Sequence, residues 1–235
     1  MLYRKAYDRL LTWKGQPKKK ALCIMGARQI GKTTLIRQFG KEQYSCFVEI
    51  NFITDTDATK IFAGNLDANT IITNLTAYTR KPMIPGNTLV LLDEIQACPN
   101  ARTAIKFLVE DGRFDYIESG SLLGVRHKEV RSYPVGFEEL YQMYPMDLEE
   151  YLWANGVQKS TIQYLKDCYE TGAPVTDAIH QTMCKLLYSY IVVGGMPDVV
   201  QTYVNTHDIA QVIARQTEIL ELYRLDIAQY TQGSE

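Results

Sequence analysis

Residues 26–33 read Gly-Ala-Arg-Gln-Ile-Gly-Lys-Thr, a G-x-x-x-x-G-K-[ST] pattern. These types at this spacing suit the holding of a polyphosphate. Phosphate oxygens need several donors converging in a small space. A glycine-bearing loop can turn its backbone N–H groups inward, and a helix starting behind it adds its positive end. Gly26 and Gly31 permit backbone shapes or close approaches that a side chain would block. Lys32 would set its ammonium between β- and γ-phosphates, and the Thr33 hydroxyl would coordinate Mg²⁺. Ala27, Arg28, Gln29 and Ile30 fill the loop, with Arg28 and Gln29 read as loop-shape or surface residues. Thr34 follows, within reach of an α-phosphate.

About 60 residues later the apolar run Leu89–Leu92 ends in Asp93-Glu94. In a parallel α/β sheet, ligands sit beyond the carboxyl ends of the strands. Asp93 would then emerge beside Thr33 and help to hold the metal, usually through water. Glu94 could orient or deprotonate an attacking water. A further run, Phe114–Ser119, ends in hydroxyls. Ser119 is the candidate to hydrogen-bond a γ-phosphate or the lytic water, with Ser121 second and an ordinary Ser-Gly-Ser turn as the alternative. Arg126 and Arg131 could supply a cation at the leaving phosphate, or could be solvated loop arginines. His127, His180 and His207 are scattered and form no metal or triad pattern. No N/T-K-x-D guanine reader occurs, so ATP is preferred to GTP.

The elements that must position these residues follow from periodicity. Leu2, Ala6, Leu10, Leu11 and Trp13 fit one face of a short helix. Ala21–Met25 reads as a buried strand, and Lys32–Gly40 as a helix ended by glycine. Ser45–Asn51, Thr88–Leu92 and Phe114–Ser119 are further strands. Residues 55–80 suggest two helices interrupted near Gly64–Asp67, and Ala101–Asp111 another. This strand–helix alternation predicts an α/β fold: the parallel sheet of a P-loop NTPase, flanked by helices. Beyond Gly124 the pattern turns mostly helical, with helices over 144–153, 159–169, 177–192 and 208–223. Gly194-Gly195-Met196-Pro197 punctuates between two of them. The expected domains are 1–155 and 156–235.

Composition narrows the setting. The 235 residues are 46% hydrophobic and 22% charged, which suits a globular chain. Net charge is −2, so the whole-chain balance predicts neither a nucleic-acid nor a membrane partner. Residues 1–40, however, hold ten Lys/Arg against one acid, Asp8. Such a basic end could attract a polyanion, or could be a solvated helix and loop. The five cysteines form no CxxC pair, which suggests reduced thiols. No signal peptide or apolar run of membrane length is present, so the cytoplasm is the expected location.

GARQIGKTTLIRQFG (26–40), LLDEIQ (91–96) and SGSLLG (119–124) resemble the AAA-type ATPases grouped as AAA_14, which usually carry a carboxyl-terminal DUF4143 domain. YRKAYDRLLTWK (3–14), VEINF (48–52), SYPVGFEELYQMYPMDLEEYLWA (132–154), YIVVGGMPDVVQTYV (190–204) and LYRLDIAQY (222–230) extend the resemblance over nearly the whole chain. It implies an ATPase core followed by the start of a DUF4143-like domain, truncated within it. It supports Gly31, Lys32, Thr33, Asp93 and Glu94 in the roles given above and supplies no arginine finger.

Together these readings predict a Mg²⁺-dependent ATPase whose turnover switches the appended helical part. The alternative is a non-hydrolysing nucleotide-binding module that acts through a protein partner, a second copy of the chain, or DNA at Lys18–Lys20. A small-molecule kinase is third, because no acceptor site or Arg-rich lid is recognisable.

Overall fold

The computed structural model describes residues 2–121 and 134–232. It comprises two compact units, one of Lys5–Tyr144 and one of Met1–Arg4 with Pro145–Glu235.

The first unit is built on five parallel strands: β1 (Ala21–Gly26), β2 (Cys46–Asn51), β3 (Thr88–Asp93), β4 (Asp115–Ser121) and β5 (Glu138–Gln142). Their spatial order is β2-β3-β4-β1-β5. β3 is buried at every position, as its unbroken apolar run requires for a strand covered on both faces. Helices α1 (Lys5–Lys14) and α2 (Lys32–Gln43) cover one side; α2 packs against β2, β3 and β4. α1 buries Ala6, Leu10 and Trp13. Leu11, expected on the same face, is 40% exposed, since it falls off the stripe set by those three. Helices α3 (Ala68–Thr79) and α4 (Pro99–Asp111) contribute Ile71, Ile72, Leu75, Ala104, Ile105 and Leu108 to a core with Val48, Ile50, Val90 and Leu92 of the sheet. The first of the two helices expected over 55–80 is a 3₁₀ segment, Thr56–Phe62.

β5 lies where the sequence suggested no strand. It is an edge strand with no fully buried residue, so it lacks the apolar signal of its neighbours.

The second unit is helical: α5 (Leu148–Ala154), α6 (Lys159–Thr171), α7 (Asp177–Val193), α8 (Pro197–Thr206) and α9 (Ile209–Gln232). Asp147 and Glu150 form a capping box that fixes the start of α5. Met146, Tyr151, Val193, Val199, Val200, Val212 and Ile219 make its core. A Cβ on Gly195 would lie 2.1 Å from the Met146 carbonyl oxygen, so this glycine is required by a close backbone approach. The two units divide at Tyr144/Pro145, and α5 packs on α7 and α8. The buried Arg4–Glu150 ion pair, 3.2 Å, ties the residues before α1 to this unit as well. α8 was not anticipated beyond the Gly-Gly-Met-Pro signal that precedes it.

An acidic side chain is enclosed within the sheet. Glu118 of β4 is fully buried, and neither carboxylate oxygen has a hydrogen-bond partner among the described residues. It shares a pocket of side chains with Cys23, Glu138 and Arg102, whose guanidinium donates to Glu138 at 2.8 Å. Cys23, Glu118 and Glu138 are close enough to share a cation, and Arg102 already supplies positive charge there. Burial, then the Glu138 charge, pushes the Glu118 carboxyl well above its usual range, with Arg102 opposing. The folded state therefore keeps this proton to higher pH than the unfolded chain does. Its contribution is complete below the unfolded carboxyl pKa and is lost as pH rises toward the folded value. Urea unfolding at a series of pH values should show wild-type stability falling above about pH 4.3 relative to Glu118→Gln, by up to about 1.4 kcal/mol per pH unit. Parallel curves for the two proteins would contradict a buried neutral acid.

Candidate functional site

Because the strands are parallel, the carboxyl ends of β1, β2, β3 and β4 meet at one edge of the sheet. The loop after β1 and the start of α2 form a cradle there. Gln29 and Gly31 have φ of 62° and 88°, so the chain turns twice in the left-handed region around the buried Ile30. Gly31 precedes α2 without any side-chain cap, leaving the first amides of the helix to face the loop. The two motif glycines serve different needs. Gly31 supplies the positive φ. At Gly26 a Cβ would lie 2.5 Å from the Met143 carbonyl oxygen and 2.5 Å from Ile30 Cδ1, so the need is for space.

Lys32 is 9% exposed and bonds back into the loop, donating from Nζ to the carbonyls of Gly26 (2.9 Å) and Ala27 (2.7 Å). Burial lowers its pKa, while the carboxylates of Glu94 and Asp93 pull it back up and Arg28 lowers it further. Arg28 is half-buried, while Gln29 and Thr34 are exposed.

Asp93 is the centre of the site. Asn51, Asp93 and Ser119 are in register across β2, β3 and β4, so their side chains reach the same face. Asn51 Nδ2 donates to Asp93 Oδ2 at 3.0 Å, and Ser119 Oγ donates to Oδ1. From α2, Thr33 Oγ1 donates to the same carboxylate at 3.1 and 3.3 Å. Thr33 and Asp93, expected to meet at a metal, are thus in direct contact. Both present hard oxygen atoms, which suits Mg²⁺. Ser119, expected to face a γ-phosphate, is instead 1% exposed and committed to Asp93.

Glu94 follows in the left-handed region (φ 56°) and is half-buried. Gln96 Nε2 donates to Glu94 Oε2. Gln96 Oε1 is buried without a partner among the described residues, and a Cβ on Gly120 would come within 2.8 Å of it. Asn51 and Gln96 were missed as site residues. Both lay in quoted segments, VEINF and LLDEIQ, but only strand register and the local turn reveal what they touch. The Ser121 side chain, Arg126, His127 and Arg131 lie outside the described residues. His180 and His207 are exposed in the helical unit. All five cysteines are free. Among the described residues, no helix is long and apolar enough to cross a membrane.

Comparison with known families matches residues 18–152 to the AAA_14 model, described as an AAA domain. Residues 184–235 match DUF8612, a domain of unknown function, in place of the DUF4143 domain that the resemblance implied. Comparison with curated proteins gives no match. Among solved structures, RuvB of Thermotoga maritima is similar at 13% identity and TM-score 0.49, covering 87% of this chain and 61% of that one. AMPPCP-bound DnaA from Aquifex aeolicus is similar at 14% identity and TM-score 0.44, covering 86% and 58%. The Aeropyrum pernix Orc1 protein in complex with DNA is similar at 17% identity and TM-score 0.40, covering 64% and 47%. The chain thus spans about half to three-fifths of the length of these structures.

The close approach at Gly26 makes a prediction. Gly26→Ala should destabilise the α/β unit by about 1–3 kcal/mol through overpacking against Met143 and Ile30. Chemical denaturation measures it, and an unchanged midpoint would show that the loop has room to spare.

Proposed function

Because the chain belongs to the AAA-domain family, matched over more than half its length, we propose that it binds Mg–ATP in the Gly26–Thr34 cradle and hydrolyses it. The observation that carries this reading is the direct contact of Thr33 with Asp93 at the mouth of a loop closed by Lys32.

In this reading Lys32 would turn its ammonium from the Gly26 and Ala27 carbonyls to the β- and γ-phosphates, and the uncapped amides of α2 would donate to the phosphate oxygens. Thr33 and Asp93 hold the metal. Magnesium, when bound, draws negative charge from the phosphate oxygens. Asn51 and Ser119 are positioning residues: their donors fix the rotamer of Asp93. Glu94 aligns a water for attack on the γ-phosphorus and takes up its proton. Gln96 holds the Glu94 carboxylate and sets its direction.

Turnover is read as a switch acting on the helical unit. The chain leaves the α/β unit directly after Tyr144, and the preceding Met143 lays its carbonyl against Gly26 and donates its N–H to Met25 (2.8 Å). A shift of the cradle would therefore be felt at the junction. Five free thiols agree with a reducing compartment such as the cytoplasm. A protein partner or a second copy of the chain remains the candidate for what the switch acts on.

Phosphate release by wild type should exceed that of Glu94→Gln by about 100-fold or more, while Glu94→Gln keeps nucleotide affinity. Lys32→Ala should lose both. Wild-type release no faster than the variants, with nucleotide still bound, would favour the non-hydrolysing module.

A further inference from the structure

Helix α9 carries two rows of side chains with different surroundings. Val212, Ile219 and Asp226 are buried, and the first two join α9 to the core of the helical unit. The row beside them is Ile209, Ile213, Gln216, Leu220, Tyr223 and Ile227. Its steps alternate between four and three residues, which is the a/d seam of a heptad repeat with Ile213, Leu220 and Ile227 at a. These three large apolar side chains are 52–58% exposed.

The seam adjoins the end of α7. Gln216 Nε2 donates to the carbonyls of Val192 (2.9 Å) and Val193 (3.1 Å), which sets the seam against the last turn of that helix. Tyr188, Ile191 and Val192 are exposed on this part of α7. Half-exposed side chains of this size offer on the order of 100 Å² each, so with the four aliphatic seam residues they approach the roughly 800 Å² that each partner gives to a standard interface. Patches larger than about 300–600 Å² on a single chain mark interaction surfaces.

The flank of the seam admits a helix. Ala210, Ala214 and Thr217 are small enough for a close approach. Glu221 and Arg224 follow, and the guanidinium donates to the carboxylate at 2.7 Å. The flank therefore carries no net charge, and two copies can meet along it without like charges opposing each other.

We propose that this seam is a self-association surface, on which α9 of a second copy of the chain packs to form a two-fold dimer. A 3.5-residue apolar repeat is complemented by another helix with the same repeat, and every copy supplies one. A two-fold axis buries the same patch on both subunits, so each contributes the area given above. The surface lies in the helical unit, and the proposal does not rest on nucleotide binding at the cradle.

Sedimentation velocity over about 1–100 μM tests it, a range that brackets the affinity expected for an interface of this size. The proteins are wild type, Leu220→Ala, Ile213→Lys/Leu220→Lys, Leu222→Lys/Leu225→Lys and Lys32→Ala. Leu222 and Leu225 are also exposed, but they lie off the seam, so they control for general stickiness. Wild type should pass from monomer to dimer and stop there. Leu220→Ala should weaken the dimer about tenfold, and the seam double lysine variant about 100-fold or more. Both should keep the wild-type circular dichroism, because the replaced side chains are half in water. Leu222→Lys/Leu225→Lys and Lys32→Ala should dimerise as wild type does, with or without ATP. The proposal is overturned if wild type stays monomeric throughout, as it would were the seam meant for a different partner. It is equally overturned if association runs on past the dimer, if Leu220→Ala dimerises as tightly as wild type, or if the off-seam variant dissociates as readily as the seam variants.

Discussion

A carboxylate held by three donors from three elements organises the α/β unit. Asp93 ends β3, and the parallel register brings Asn51 and Ser119 beside it on neighbouring strands, while α2 delivers Thr33 from above. Each donor narrows the rotamers open to the side chain. This arrangement needs all four strand ends at one edge, hence parallel strands with helical crossovers. It also needs the loop after β1 to turn sharply enough to start α2 directly over β3. The left-handed Gln29 and Gly31, the crowded Gly26 and the buried Ile30 meet that demand.

The same geometry orients Lys32. Its ammonium donates to the carbonyls of Gly26 and Ala27, bonds that hold the loop in shape. Gln96 does the corresponding task for Glu94. The site is thus preorganised, with each charged group already oriented by a neighbour.

What could be read from sequence divides by range. The cradle and the acid pair were legible because phosphate and metal chemistry fixes residue types at short spacing. The strands β1 and β3 were legible because burial on both faces demands unbroken apolar runs. β5 was not, since an edge strand reading Glu-Glu-Leu-Tyr-Gln carries no such run, and its pairing with β1 is a tertiary fact. The contact of Asn51 and Ser119 with Asp93 depends on strand register, which no local pattern encodes. The packing of α5 on the helices that follow it is likewise a tertiary fact that no local pattern encodes. Glu118, an acid in the middle of a strand, gave no hint that it is fully buried beside Arg102.

The central claim is that Asp93 and Thr33 form one half of a metal–triphosphate site. Titrating ATP into wild type and Asp93→Asn, each with and without Mg²⁺, tests it most directly. The substitution keeps the side chain's shape and removes its charge. Magnesium should tighten binding to wild type about tenfold or more and do little for Asp93→Asn, whose metal-free affinity stays close to that of wild type. Equal tightening by magnesium in both proteins would contradict the account.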